Sequence, residues 1–214
     1  MKQVNVMRAI IVTAVLVTMQ MACSCPSLGQ EDKGADTTCE GFKNAVSPDL
    51  AQYLNGVVPD AKNADCVTLA IHKLGKERYA PAISALVKLL DFRRPLTQQE
   101  KMGFWLRPRI TEEIFPAAEA LELIGKEAIP ELLSAIKADS TSGTARENAV
   151  AVWMEIYRYS DEHPRGVADL KREETKVNNN AVKQRLMWAV QQALTRCNPD
   201  EKDECQRAAA TGAP

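Results

Sequence analysis

Between Pro116 and Ala138 the apolar residues fall at three- and four-residue steps, stop, and begin again. Ala117, Ala120, Leu121 and Ile124 share one face of a helix read over the first half of that stretch. Gly125 follows, the residue type that most readily takes the left-handed conformation closing a helix. Pro130 suits the first turn of a second helix, where a backbone N–H would be unpaired in any case, and Leu132, Leu133, Ala135 and Ile136 form that helix's apolar face. Neither helix can cover its stripe alone, so the pattern predicts a helical hairpin. The chain writes it twice. Leu74-Gly75-Lys76-Glu77 matches Ile124-Gly125-Lys126-Glu127 at an offset of 50, and Pro81, Ile83 and Ala85-Leu86-Val87 match Pro130, Leu132 and Ser134-Ala135-Ile136 at an offset of 49. Self-similarity at roughly 20–50 residues marks stacked units that share a continuous core. The expected fold is all-α, a short α-solenoid of stacked hairpins with N-terminal capping helices.

The remaining elements follow from the same periodicity. Thr38 is placed to cap a short helix carrying Phe42 and Val46, and Ser47-Pro48-Asp49 has the composition of a helix start, with Leu50, Tyr53 and Leu54 facing inward until Asn55-Gly56. Asp60 opens the first repeat helix, whose inner face is Val67, Ala70, Ile71 and Leu74. Its partner runs from Pro81 to about Leu90 and buries Ile83, Leu86, Val87 and Leu90. Thr144-Ala-Arg-Glu147 reads as a capping box before a helix that buries Ala149, Val152, Trp153 and Ile156. A helix from Pro164 to Lys176 comes next. The last one, after Asn178-Asn-Asn180, buries Val182, Leu186, Ala189, Val190, Ala193 and Leu194.

An apolar-Gly-Lys-Glu turn between two helices, a proline opening the second, and Pro116 inside the first helix of the clearer repeat together resemble the HEAT repeat in its short bacterial form. The resemblance spans residues 61–90 and 111–160, and no third Gly-Lys-Glu turn follows. It implies a non-catalytic protein-interaction module that binds along helix faces or an inserted loop. Some HEAT-like proteins related to the phycobilisome lyases attach pigments and others act on nucleic acid, so a lyase-type enzyme is the alternative of a different class.

The N-terminus adds a compartment. Lys2 and Arg8 precede an apolar run from Ala9 to Ala22 broken by Thr13, Thr18 and Gln20, the charge-then-apolar order of a secretory leader. The run is shorter than the ~20 residues that span a bilayer. Two cleavage sites compete. Cutting after Gly29 leaves four cysteines, Cys39, Cys66, Cys197 and Cys205; cutting after Ala22 leaves Cys23 for a lipid anchor and strands Cys25. The even set favours the first, and with it an exported chain, periplasmic or extracellular, over a lipid-anchored envelope protein with a structural role. Of the three possible connectivities, Cys39 with Cys66 and Cys197 with Cys205 join near neighbours. The chain therefore divides into a leader (1–29), a flexible lead-in with a short helix (30–46), the repeat domain (47–196) and a polar tail closed by a disulfide (197–214).

Composition narrows the chemistry. With 45% hydrophobic and 26% charged residues the 214-residue chain has the make-up of a folded domain. A net charge of −1 gives nucleic acid or an anionic membrane no claim as principal partner. His72 and His163 are the only histidines and fall in different repeats. No phosphate-binding glycine loop, His-Glu-x-x-His motif, calcium loop or zinc-spaced cysteine set occurs in the mature chain, so no catalytic residue, metal or cofactor is expected. Asp200, Glu201, Asp203 and Glu204 read as a solvated acidic turn, and Lys171 to Lys176 as a charged helix face. The segment 92–109 stands apart. Arg93, Arg94, Lys101, Arg107 and Arg109 against Glu100 give it +4 on an otherwise acidic chain. Long loops between packed elements are often functional. Arg93, Arg94, Phe104, Trp105, Arg107 and Arg109 are therefore the expected contacts to a protein partner, made by a monomer.

Overall fold

A computed structural model describes residues 39–96, 100, 114–159 and 162–213. Among them are ten α-helices, three short 3₁₀ turns and no strand, so the architecture is all-α. The helices are α1 (Glu40–Asn44), α2 (Ser47–Gly56), α3 (Ala64–Lys76), α4 (Ile83–Lys88), α5 (Pro116–Ile124), α6 (Ile129–Lys137), α7 (Gly143–Arg158), α8 (His163–Lys176), α9 (Asn180–Leu194) and α10 (Lys202–Thr211). The leader 1–29 with Cys23, the lead-in through Thr38, and Phe104, Trp105, Arg107 and Arg109 lie outside the described residues.

The two repeated motifs each supply two helices, and the pairs pack across one another. Helix α3 packs against α5, and α4 packs against both α5 and α6. The expected inner faces are buried: Val67, Ala70, Ile71 and Leu74 on α3 and Ala117, Ala120, Leu121 and Ile124 on α5 are closed to solvent, while Val87 and Leu133 are half-buried. Each fully buried Leu or Ile contributes roughly 1.5–3 kcal/mol relative to an exposed one. Packing then continues along the chain. Helix α7 lies on α5 and α6, α9 lies on α6, α7 and α8, and α10 lies on α8 and α9; α2 covers α3 and α4 at the other end. One contiguous apolar cluster runs from Leu50 to Ala208.

The two glycines of the repeated motif do different work. Gly125 ends α5 at φ 88°, ψ −142°, a backbone state only glycine adopts readily. Gly75 does not end α3. The helix runs on to Lys76, and the left-handed residue is Arg78 at φ 49°. Tyr79 N–H donates to the Leu74 carbonyl and Arg78 N–H to that of Gly75, both at 3.0 Å, which is the Schellman closure. Gly75 instead sits where α5 crosses: a Cβ there would stand 2.7 Å from Ala120 Cα and 2.8 Å from Ala120 Cβ.

Several helix starts differ from expectation because a distant partner claims the capping group. Ser47 is already helical, and its hydroxyl donates to the Glu77 carboxylate, tying α2 to the end of α3. Asp60 shapes the turn before α3, accepting from Lys62 and Asn63 N–H, and α3 itself begins at Ala64. Ser142, not Thr144, caps α7 by accepting from Ala145 N–H, while its own hydroxyl donates to Asp91 beyond α4. Asn179 caps α9, accepting from Ala181 and Val182 N–H. The stretch 197–213 is no loose tail: a 3₁₀ turn and α10 bury Cys205 and Ala208 against α8.

Candidate functional site

Both expected disulfides are present. Cys39–Cys66 joins the residue before α1 to α3 with Cα atoms 5.2 Å apart, and Cys197–Cys205 joins the end of α9 to α10 with Cα atoms 6.6 Å apart.

The described part of the basic segment is held by the chain itself. The Arg94 guanidinium forks onto the Glu100 carboxylate at 2.5 and 2.9 Å, with both side chains more than four-fifths buried, and its backbone N–H donates to the Ile114 carbonyl. The Arg93 guanidinium lies 5.6 Å from the centre of the Phe115 ring. Phe92 is half-buried against the core. Local packing and an ion pair six residues away thus occupy two of the six residues singled out as partner contacts.

A different site assembles where three turns meet. The closure of α3 presents Arg78, the end of α5 presents Glu122 to Gly125 followed by Lys126, and the end of α7 presents Ile156 and Tyr159; together they line a cleft of about 360 Å³. Leu123 is 38% exposed and Tyr159 71% exposed, so the cleft wall keeps apolar surface in contact with water. Arg158 stacks its guanidinium 5.4 Å from the Tyr159 ring centre and pairs with Glu155. Lys126 bonds Glu162 at 3.2 Å, and that contact, with Arg165 adding to it, holds the Glu162 carboxyl below its ordinary range. Arg78 is exposed and makes no ion pair with any described residue. The arrangement offers a mainly apolar trough with the Arg78 guanidinium on its rim, the mostly buried and engaged Glu122 in its lining, and Lys126 turned to Glu162.

The other polar groups are engaged within the fold. His163 is 2% exposed at the first residue of α8, and its Nδ1 lies 2.7 Å from Glu201, so Glu201 belongs to a buried contact and not to a solvated acidic turn. Glu174 is buried beside Lys171 at 2.5 Å, which takes it off the solvated face expected for 171–176. Tyr157 donates to Asp169, and burial raises its phenol above the usual value. Trp153 Nε1 donates to the Gly166 carbonyl at 3.0 Å. His72 lies half-exposed, 3.3 Å from Glu119, bridging α3 and α5. Among the described residues no group of His, Cys, Asp and Glu is arranged to hold a metal ion, and no helix is long and apolar enough to cross a membrane.

Sequence reasoning missed the cleft because its residues are spread from position 78 to position 159. One signal was readable: Leu123 is a large apolar residue off the Ala117–Ala120–Leu121–Ile124 stripe, which means an apolar side chain on the outward face. Comparison with protein-family models, with curated proteins and with solved structures returned no match to this chain.

Proposed function

We propose that this chain is a short, HEAT-like α-solenoid that is exported and serves as a non-catalytic protein-interaction module. The observation that supports the reading is the packing of each helix of the first repeated motif on its counterpart in the second, α3 on α5 and α4 on α6, extended by α7 on α5 and α9 on α6. Such a series of units, each leaning on the next, is built to present surface rather than to enclose a reaction. The two disulfides fit an oxidising compartment and so support export.

Two measurements test this. Intact mass of the protein recovered outside the cytoplasm should correspond to a chain beginning at Gln30; an acyl group on Cys23 would replace the free form by a membrane-anchored one. Chemical crosslinking of the disulfide-intact protein in its own extracytoplasmic extract should yield a saturable protein partner. No saturable crosslink at any concentration sinks the interaction reading.

A further inference from the structure

We infer that the cleft between the turns after α3, α5 and α7 is a peptide-docking site, and that its occupant is a partner segment in which an aliphatic or aromatic side chain is followed directly by a carboxylate. The inference deepens the interaction-module reading and rests on it.

Three observations converge. First, six large apolar side chains are exposed among the described residues, and two of them, Leu123 and Tyr159, line this one cleft, where Ile124 and Ile156 add further apolar surface. Isolated exposed apolar residues need no explanation, whereas apolar residues sharing a concavity mark a binding surface. Second, Arg78 borders the same cleft, exposed and without an ion-pair partner among the described residues, while nearby Lys126 is engaged by Glu162 and Arg158 by Glu155. A guanidinium is the side chain best shaped to fork onto a carboxylate. Third, Arg78 is the one described non-glycine residue at positive φ. That backbone state is unfavourable for an L-residue, and the corresponding turn after α5 uses glycine instead. The Schellman closure holds it there, and residues in such states cluster at ligand clamps and switch regions. The cleft's volume is at the small end of the roughly 300–1,000 Å³ typical of ligand sites, which fits one or two side chains of an extended segment.

The test is a titration of the ¹⁵N-labelled, disulfide-intact mature chain, followed by amide chemical shifts. The probe is the capped peptide Gly-Ser-Leu-Phe-Asp-Ser-Gly, with the same peptide carrying Asn for Asp, and sodium decanoate, as comparisons. The Asp peptide should shift the amides of Leu123 to Lys126, Ile156 and Tyr159, and the Asn peptide should bind at least about threefold more weakly. Arg78→Gly removes the guanidinium while relieving the positive φ, so the variant keeps its fold and should weaken binding by a similar factor. Arg78→Lys should fall between. The inference is overturned by shifts outside the cleft, by no shift at millimolar peptide, by equal binding of the Asp and Asn peptides, by an unaffected Arg78→Gly variant, or by decanoate binding where the peptide does not. A wild-type chain that captures a crosslinked partner which Arg78→Gly/Tyr159→Ala captures equally would remove the cleft and leave the interaction module standing. Failure of the wild type to capture any partner would remove the module instead.

Discussion

Replacing Gly75 with alanine puts two opposing terms against each other at one atom. Within a helix alanine is favoured over glycine by about 1 kcal/mol, and Gly75 has ordinary helical backbone, so local preference alone predicts a more stable protein. The added Cβ, however, would stand 2.7 Å from the Cα of Ala120 and 2.8 Å from its Cβ, where ordinary contact begins near 3.4 Å. The obstruction is backbone, so no side-chain rotation relieves it. Helix α5 must move by about 0.7–1 Å, and it is braced on the far side by α4 and α7. Overpacking of this sort costs about 1–3 kcal/mol and more when a helix must shift, which places the steric term near 3 kcal/mol and the net effect near 2 kcal/mol of destabilisation. For a chain of this size that lowers the melting temperature by about 4–8 °C. Urea unfolding with the disulfides intact should show a lower midpoint and an unchanged slope. Two variants separate the terms. Gly143→Ala, with nothing within 4 Å and ordinary φ, should be neutral or stabilising, and Gly125→Ala, meeting only Glu127 Oε2 at an ordinary 3.8 Å but at φ 88°, should lose about 1–3 kcal/mol through backbone strain. If Gly75→Ala is as stable as the parent, the close crossing of α3 and α5 is wrong.

Four further outcomes follow from other contacts. Cys39→Ser/Cys66→Ser opens a cross-link between residues 27 positions apart and should cost about 3.5 kcal/mol, against about 2.5 kcal/mol for the 8-position link of Cys197 and Cys205, both read from urea midpoints. Arg94→Ala leaves the largely buried Glu100 without its bidentate partner and should destabilise by about 1–2 kcal/mol, whereas Arg93→Ala should change stability by less than about 0.5 kcal/mol. Hydrogen bonds from Lys137 and then Lys176 hold the Glu173 carboxyl below its ordinary range. Its folded-state pKa is therefore lower than its unfolded one, so its stabilisation is complete above the ordinary glutamate pKa and fades as pH falls through the folded value; Glu173→Gln should flatten that acid limb in thermal melts. Burial raises the Tyr157 phenol, so stability should decline as pH climbs past about 10, and Tyr157→Phe should remove that alkaline limb.

What was legible in the sequence were the stripes. A helix that must hide one face declares it in composition, and Val67, Ala70, Ile71 and Leu74, or Ala149, Val152, Trp153 and Ile156, are buried as their spacing requires. The neighbouring-cysteine pairing followed from the same local logic. What was not legible depends on elements distant in the chain. Gly75 looks like a helix stop until Ala120 is placed against it, and the stop then falls to Arg78. Ser47 and Thr144 look like caps, but Glu77 claims the first hydroxyl, and Ser142, anchored to Asp91, preempts the second. Glu174 and Glu201 read as solvent-facing polar residues because their partners, or the packing that covers them, lie elsewhere. The cleft was hidden for the same reason: no window of the chain contains Arg78, Leu123 and Tyr159 together.

The two disulfides lie at the first and last helices of the described chain, one at α1 and one at α10. End helices of a helical fold open more easily than central ones when they bury less apolar surface. Here the residue before α1 is tied to α3 and the end of α9 to α10, so opening of the described helices from either end is hindered and the weakest point moves inward. Among the described helices, the slowest-exchanging amides need not be the central ones, and the two cross-links shield the outer helices from proteolysis that proceeds by local opening.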